Sequence, residues 1–316
     1  PLFYGGIPVF ADIEDTTFCI DPASVRAAIT DRTRAILAVN LFGHPAALAE
    51  LRTLADANGI YLVEDSAQAP CAFEDGVRAG TIGHIGVFSL NYHKHIHTGE
   101  GGICVTEDED LARRLAMIRN HGENVVEDFA VGDLTNMIGA NLRLTEMSAA
   151  VGRAQLAEID RHVSVREQVA LQLSEELGNL AGLRVPAVRD GCRHNYYCWV
   201  LRYDAAATGV SRDLFCRALE AEGFPHGAGY VRPLYTLPAF RQRRALGRDG
   251  FPFNLTERRY DWGLCPTAER LWRDEIILFE PCAWQLDDAG IDGLVEAVRK
   301  VHRNLDRLAA MPAEAN

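Results

Sequence analysis

Three short apolar runs, each followed by polar residues, are the feature of this sequence that most restricts its fold. They cover residues 35–41, 60–63 and 85–90, and leucines at helical spacing (Leu48, Leu51 and Leu54) lie between the first two runs. Apolar runs of this length are typical of strands buried on both faces of a parallel sheet. A strand, a helix and a second strand in this order form a right-handed crossover. The sequence therefore predicts an α/β fold with a mostly parallel sheet.

Three reactive or polar side chains follow the second and third of these runs. Asp65 comes just past the second run, Ser89 lies near the end of the third, and Lys94 follows shortly afterwards. Ligands of open α/β sheets bind outside the carboxyl ends of the strands. We therefore expect these side chains to converge at one edge of the sheet. A lysine amine at such a site can form a Schiff base with an aldehyde once it is deprotonated.

The identity and spacing of these residues resemble a known family, the DegT/DnrJ/EryC1/StrS sugar aminotransferases, which use pyridoxal phosphate. The matching motifs are Glu64-Asp65-x-Ala67-Gln68, Phe88-Ser89, Lys94, and Thr98-Gly99-Glu100-Gly101-Gly102. Residues 8–12, 141–146 and 264–269 resemble further family segments, so the match covers essentially the whole chain.

The resemblance implies a fold and a division into domains. The fold is the pyridoxal-phosphate-dependent transferase fold (fold type I, aspartate-aminotransferase-like), a mostly parallel sheet flanked by helices with a smaller C-terminal α+β domain. We expect a large cofactor-binding domain over residues 1–165, and a connecting helix with the small domain over residues 166–316. By the same resemblance, roughly the first quarter of a family member is expected to be missing before Pro1.

The resemblance also implies a role for each site residue. Lys94 forms the internal aldimine with pyridoxal phosphate and later moves the proton between substrate and cofactor. Asp65 keeps the ring nitrogen protonated, because an adjacent negative charge favours the cationic form. Gln68 lies near the ring hydroxyl, and the Ser89 hydroxyl contacts the phosphate. Asn141 reaches the cofactor phosphate of the neighbouring subunit, which implies a homodimer with shared active sites.

The activity implied is transfer of an amino group from glutamate or glutamine to a keto sugar, expected to be nucleotide-linked, through pyridoxamine phosphate. Such reactions serve deoxyamino sugar and polysaccharide biosynthesis.

Two alternatives stay open. One is a sugar dehydratase on the same scaffold, although those relatives commonly lack the Schiff-base lysine that Lys94 supplies. The other is a protein that binds pyridoxal phosphate without turnover.

The sequence also contains patterns that resemble a metal site and a dinucleotide-binding site. His93, His95 and His97 alternate around Lys94, so in an extended segment they would point the same way, as the ligands of one metal ion do. We expect these histidines to line the pocket or pack, and we expect no metal. The glycines at 80, 83 and 86 do not have the spacing of the dinucleotide fingerprint, which excludes a nicotinamide dehydrogenase.

The composition restricts the kinds of binding partner and the cellular compartment that we expect. The formal net charge of −12 argues against nucleic-acid binding, which normally requires a basic face. No apolar run is long enough to span a bilayer, so no membrane partner is expected. The eight scattered cysteines lack metal-binding spacing and are expected to be reduced, as in a cytoplasmic protein.

Overall fold

The computed structural model describes residues 1–123, 137–284 and 286–311. The chain forms two compact units. The first unit contains Pro1–Asp31, Gln168–Ala187 and Cys198–Asn316, and the second contains Arg32–Glu167 and Val188–Tyr197. The second unit includes all the residues that the sequence predicts for the site.

The second unit is built on a four-stranded sheet. The strands of this unit are β1 (Ala35–Val39), β2 (Tyr61–Asp65), β3 (Phe73–Glu74), β4 (Val77–Arg78), β5 (Ile85–Ser89), β6 (Gly102–Val105) and, later in the chain, β8 (Cys192–Arg193). The four-stranded sheet has the order β1–β2–β5–β6; its first three strands are parallel, and β6 is antiparallel to β5. Strands β4, β3 and β8 form a small separate sheet. The predicted α/β architecture is confirmed, with one antiparallel strand in a mixed sheet.

Helices of the second unit connect these strands. They are α2 (Leu48–Ala57), α3 (Glu109–Arg119) and α4 (Glu146–Leu156), with α5 (Ile159–Leu177) passing into the first unit. The predicted apolar face of α2 is confirmed, since Leu48, Leu51 and Leu54 are buried. Thr145 caps the N-terminus of α4, because its hydroxyl accepts a hydrogen bond from the amide of Ser148.

The strands do not end at the same residues as the apolar runs that predict them. The strand expected over residues 35–41 ends at Val39, and a turn of 3-10 helix follows at Leu41–Gly43. The strand expected over residues 60–63 continues to Asp65, which is therefore its last residue. The ladder explains this extension, because Asp65 pairs with Val39 on one side and with Val87 on the other.

The first unit is organised around an antiparallel sheet. Its order is β10–β11–β9–β7, formed by β7 (Leu183–Arg184), β9 (Trp199–Tyr203), β10 (Gly227–Ala228) and β11 (Ile276–Phe279). Its helices are α1 (Pro22–Ala28), α6 (Ala205–Thr208), α7 (Arg212–Ala221), α8 (Pro238–Arg241), α9 (Pro266–Arg270), α10 (Asp288–Arg303) and α11 (Leu305–Ala309). The apolar stripe of α10 is buried, including Ile291, Val298 and Val301. Among the helices of the described residues, none combines the length and the apolar character needed to cross a membrane.

Candidate active site

The predicted residues Asp65 and Ser89 end two adjacent parallel strands. Asp65 is the last residue of β2 and Ser89 is the last residue of β5. One carboxylate oxygen of Asp65 accepts the Ala67 amide at 3.1 Å, and a carboxylate has further acceptor capacity on its second oxygen. The Ser89 hydroxyl oxygen accepts the Asn91 amide at 3.2 Å, which leaves its proton to be donated. The two strands thus present an anion and a hydroxyl donor at the same edge of the sheet.

Lys94 lies on a short loop that begins where β5 ends. The loop is closed by a hydrogen bond of 2.9 Å from the Thr98 amide to the Leu90 carbonyl. The Gln155 side chain on α4 fixes its far end, because it accepts the His97 amide at 3.0 Å and donates to the His97 carbonyl at 2.7 Å. These contacts hold the backbone that carries the lysine.

The Lys94 ammonium lies over an aromatic ring that the sequence did not predict for the site. Its Nζ atom is 4.6 Å from the centroid of the Tyr197 ring. Tyr197 belongs to Val188–Tyr197, the segment that returns to the second unit late in the chain. No local pattern marks this tyrosine, since only the return of that segment brings it to Lys94.

Glu64, beside Asp65, anchors the end of β2. Its fully buried carboxylate accepts the amides of Gly80 at 2.5 Å, Ile82 at 2.7 Å, and Gly83, and also the Asn40 side chain. The turn packs closely on β5: a Cβ atom at Gly86 would lie 1.8 Å from the Gly80 carbonyl oxygen, so only glycine fits there. This acid appeared in the sequence motif without a role, and the structure makes it a backbone anchor.

Gln68 and Asn40 connect the ends of β1 and β2. The Gln68 side-chain oxygen accepts the Phe42 amide at 2.6 Å. The buried Asn40 side chain donates to the Ser66 hydroxyl at 2.8 Å and accepts the Ala46 amide at 2.8 Å. Its backbone amide donates to the Asp65 carbonyl at 2.9 Å. These bonds fix the backbone on either side of Asp65, and Gln68 itself is buried near the strand ends.

The three histidines around Lys94 do not share one face. His93 is exposed, His95 is buried and His97 is half-buried. Burial, with the nearby charge of Arg166, lowers the pKa of His95 to about 3. Within residues 1–123, 137–284 and 286–311, no group of three or more histidine, cysteine, aspartate or glutamate side chains is arranged to hold a metal ion.

Asn141, the fifth predicted residue, lies in the segment before α4. It forms an isolated antiparallel bridge with Asn120, which follows α3, and its side-chain oxygen accepts the Arg143 amide at 3.5 Å. The asparagine is exposed in the single chain. The structure therefore brings Asp65, Gln68, Ser89 and Lys94 to one edge of the sheet and leaves Asn141 on the surface.

Comparison with known proteins identifies the family. The model of the DegT/DnrJ/EryC1/StrS aminotransferase family matches residues 2–275. The chain belongs to this family. It is a pyridoxal-phosphate-dependent aminotransferase of fold type I, as the sequence predicted.

Named relatives illustrate the range of this family. The chain is 35% identical over 319 residues to L-glutamine:2-deoxy-scyllo-inosose aminotransferase of Streptoalloteichus tenebrarius, covering 96% of this chain and 73% of that one. It is 38% identical over 258 residues to dTDP-3-amino-3,4,6-trideoxy-alpha-D-glucose transaminase of Micromonospora megalomicea, covering 80% and 66%. The crystal structure of DesV from S. venezuelae, in complex with a ketimine intermediate, superposes with a TM-score of 0.78 at 31% identity, covering 93% and 72%.

The residues at the strand ends fit the chemistry of pyridoxal phosphate. The cofactor presents an aldehyde, a basic ring nitrogen and a phosphate ester. The edge supplies an amine in Lys94, a carboxylate in Asp65 and a hydroxyl donor in Ser89. Lys94 and Lys300 are the two lysines of the sequence, and Lys300 is ion-paired with Glu222 in the other unit. The donor set of the second unit therefore suits this cofactor, with one lysine for its aldehyde.

Proposed function

We propose that this protein transfers an amino group from glutamine or glutamate to the ketone carbon of a sugar or sugar-like ring. The observation that carries the proposal is the placement of Lys94, the one lysine of its unit, on a fixed loop at the strand ends that bear Asp65 and Ser89. When bound, pyridoxal phosphate supplies an aldehyde that accepts the amino group and a ring that accepts electrons.

Lys94 is the proposed catalytic residue. Its amine would hold the cofactor through the aldehyde until an amino donor takes its place, and would then carry the proton at the donor carbon. A lysine in this role must alternate between the neutral amine and the ammonium. The hydrogen-bonded loop and the aromatic ring beneath Nζ support both tasks, because they limit the positions that the amine can occupy.

The remaining site residues are proposed to bind the cofactor. The Asp65 carboxylate would hold the ring nitrogen in its protonated form. Gln68 would lie beside the ring hydroxyl, and Ser89 would donate to the phosphate through the proton that its bond with Asn91 leaves available. Asn141 would contact the phosphate in the partner of a homodimer, a role that its exposed position permits.

The names of the relatives support two kinds of acceptor for this proposal. The match to the inosose aminotransferase covers 96% of this chain, and the name of that enzyme specifies glutamine and a cyclic ketone without a nucleotide. The match to the dTDP-sugar transaminase has a higher identity, 38%, over a shorter part of the chain. We propose a six-membered ring ketone as acceptor, nucleotide-linked as the first candidate and a free cyclitol ketone as the second.

The test follows an isotopic label from donor to acceptor. The protein is given pyridoxal phosphate, 15N-labelled glutamine or glutamate, and either a dTDP-keto sugar or 2-deoxy-scyllo-inosose. We expect mass spectrometry to find 15N in the amine of one acceptor, and Lys94→Ala to abolish the transfer. Loss of water from the sugar without incorporation of nitrogen would instead identify a dehydratase. Cofactor binding without either product would leave a non-catalytic binding protein.

A further inference from the structure

The Tyr197 ring lies under the Lys94 amine in a buried setting. The side-chain nitrogen is 4.6 Å from the ring centroid, and Tyr197 is 4% exposed. The face of an aromatic ring carries partial negative charge and attracts a cation, by about 0.5–1 kcal/mol at exposed sites and about 2 kcal/mol where water is excluded. Little water reaches this ring, so the stronger end of that range applies.

The position of Tyr197 is fixed from the strand ends. Its amide donates to the Asn195 side-chain oxygen at 3.2 Å. Asn195 is fully buried; its amide donates to the Gly43 carbonyl at 3.1 Å and its side chain to the Pro70 carbonyl at 2.6 Å. Gly43 has a φ of +99°, and a Cβ atom there would lie 1.8 Å from the Asn195 oxygen, so only glycine admits this contact. The ring is thereby connected to the loops that follow β1 and β2.

Two histidine rings lie near the ring of Tyr197. The rings of His93 and His95 lie 6.4 Å and 5.8 Å from the Tyr197 ring. Burial, together with Arg166, Lys94 and His162 nearby, lowers the pKa of His95 to about 3, so this imidazole is neutral at physiological pH. A neutral imidazole does not repel the ammonium.

We propose that Tyr197 is a positioning residue for Lys94, whose ring face stabilises the lysine in its ammonium form and directs it during proton transfer. A carboxylate in this place would hold the ammonium more tightly and in one direction. A ring face attracts the charge over its whole area, so the amine can return to the cofactor. The inference rests on the role of Lys94 under the proposed function and adds a residue far away in sequence.

The test measures the titration of Lys94 directly. In the full chain freed of pyridoxal phosphate, both lysines are acetylated by a trace of acetic anhydride across a pH series, and mass spectrometry reads each peptide. We expect Tyr197→Leu to lower the Lys94 midpoint by about 0.5–1.5 pH units. Tyr197→Phe keeps the ring and should leave the midpoint close to that of the parent. Lys300, ion-paired with Glu222 at 2.6 Å, is the internal control and should not move.

A second series covers the case in which Tyr197→Leu fails to fold. Phenylalanines with increasing fluorination at position 197 keep the shape of the ring while they weaken its attraction for cations. We expect the Lys94 midpoint to fall stepwise with fluorination, and kcat to fall while the KM for the amino donor changes little. A Lys94 midpoint that is constant along this series would overturn the inference. A constant midpoint would not bear on amino transfer, which the isotopic label measures separately. Absence of amino transfer, together with a Lys94 midpoint that falls with fluorination, would contradict only the proposed function.

Discussion

After Lys94, the proposed chemistry depends most on the charge of Asp65. It ends β2 beside Val39 and Val87, so its backbone is held by strands on both sides. An opposite charge shifts a pKa by about 1–3 units, which corresponds to about 10- to 1,000-fold in the population of the protonated ring. The carboxylate therefore matters for turnover more than for packing.

We predict that Asp65→Asn lowers kcat by about 10- to 1,000-fold while the protein still folds and retains pyridoxal phosphate. The substitution keeps the shape and an oxygen that can accept the Ala67 amide, but it removes the charge. Steady-state kinetics and cofactor content are the measurements. Asp110→Asn, at an exposed position of α3, is the matched control and should have the activity of the parent. Parent-like kcat in Asp65→Asn would remove this residue from the mechanism.

Buried histidines of the second unit make its stability depend on pH. Burial lowers the pKa of His44 to about 4 and that of His95 to about 3, and it lowers the pKa of His194 well below 6.5. The unfolded chain binds protons at these residues below about pH 6.5, whereas the folded chain does not. The free energy of unfolding is therefore not reduced by these histidines above pH 6.5, and it decreases as the pH falls towards 4.

We predict that the free energy of unfolding falls between pH 6.5 and pH 4 and that His95→Gln makes the slope shallower by about one proton, or about 1.4 kcal/mol per pH unit. Denaturant unfolding at half-unit pH steps measures the slope. His121→Gln, at an exposed position, is the control and should keep the slope of the parent. The same slope in His95→Gln and in the parent would show that His95 takes up its proton without unfolding.

At the scale of elements, the turn over residues 80–83 depends on one buried acid. Glu64 accepts three backbone amides of this turn, and it stands next to Asp65 in β2. Hydrogen bonds to a charged group contribute about 1.5–3 kcal/mol each, and a buried donor left unsatisfied costs about 1–3 kcal/mol. The end of β2 therefore depends on a residue without a direct chemical role.

We predict that Glu64→Gln lowers the free energy of unfolding by about 3 kcal/mol, because the amide nitrogen would face backbone donors. Denaturant unfolding compares it with Glu107→Gln, at an exposed position before α3, which should be within about 0.5 kcal/mol of the parent. Equal stability of Glu64→Gln and the parent would show that the turn does not need the carboxylate.

The sequence predicted most of the strands and helices that form the site, and it placed some of the site's polar side chains. Asp65 and Ser89 could be placed because a parallel sheet brings the carboxyl ends of its strands together. The last residues of the strands were missed, since ladder pairing and not apolar character extends β2 to Asp65. Tyr197 and Asn195 could not be found, because their contacts arise when a distant segment returns to the second unit. The predicted division at residues 165 and 166, and the roles of the site residues, stay predictions.

At the scale of the whole molecule, α4 and the residues before it expose apolar side chains. Ile138, Leu142 and Met147 are 72%, 62% and 80% exposed, and Val151 and Leu156 are also exposed. No residue of α4 is buried within the described chain. Concentrated exposed apolar surface is typical of protein interfaces. Asn141 lies within this segment, which supports a homodimer that shares Asn141 between subunits.

We predict that the protein is a dimer in solution and that Met147→Asp shifts it towards the monomer, because a charge in an apolar interface is costly to bury. Light scattering after size-exclusion chromatography gives the mass. Leu255→Asp, at an exposed apolar position of the other unit, is the control and should remain dimeric. A dimer in both variants would place the interface elsewhere.

The most direct measurement of the central claim is the absorbance spectrum of the protein with pyridoxal phosphate, before and after glutamine or glutamate, beside Lys94→Ala. We predict a visible band of the Lys94-bound cofactor that the amino donor bleaches as the cofactor takes up the amino group. Lys94→Ala should lack this band, whereas Lys300→Ala should show it unchanged. A visible band that persists in Lys94→Ala, or that neither donor alters, would contradict the assignment of Lys94 as the catalytic amine.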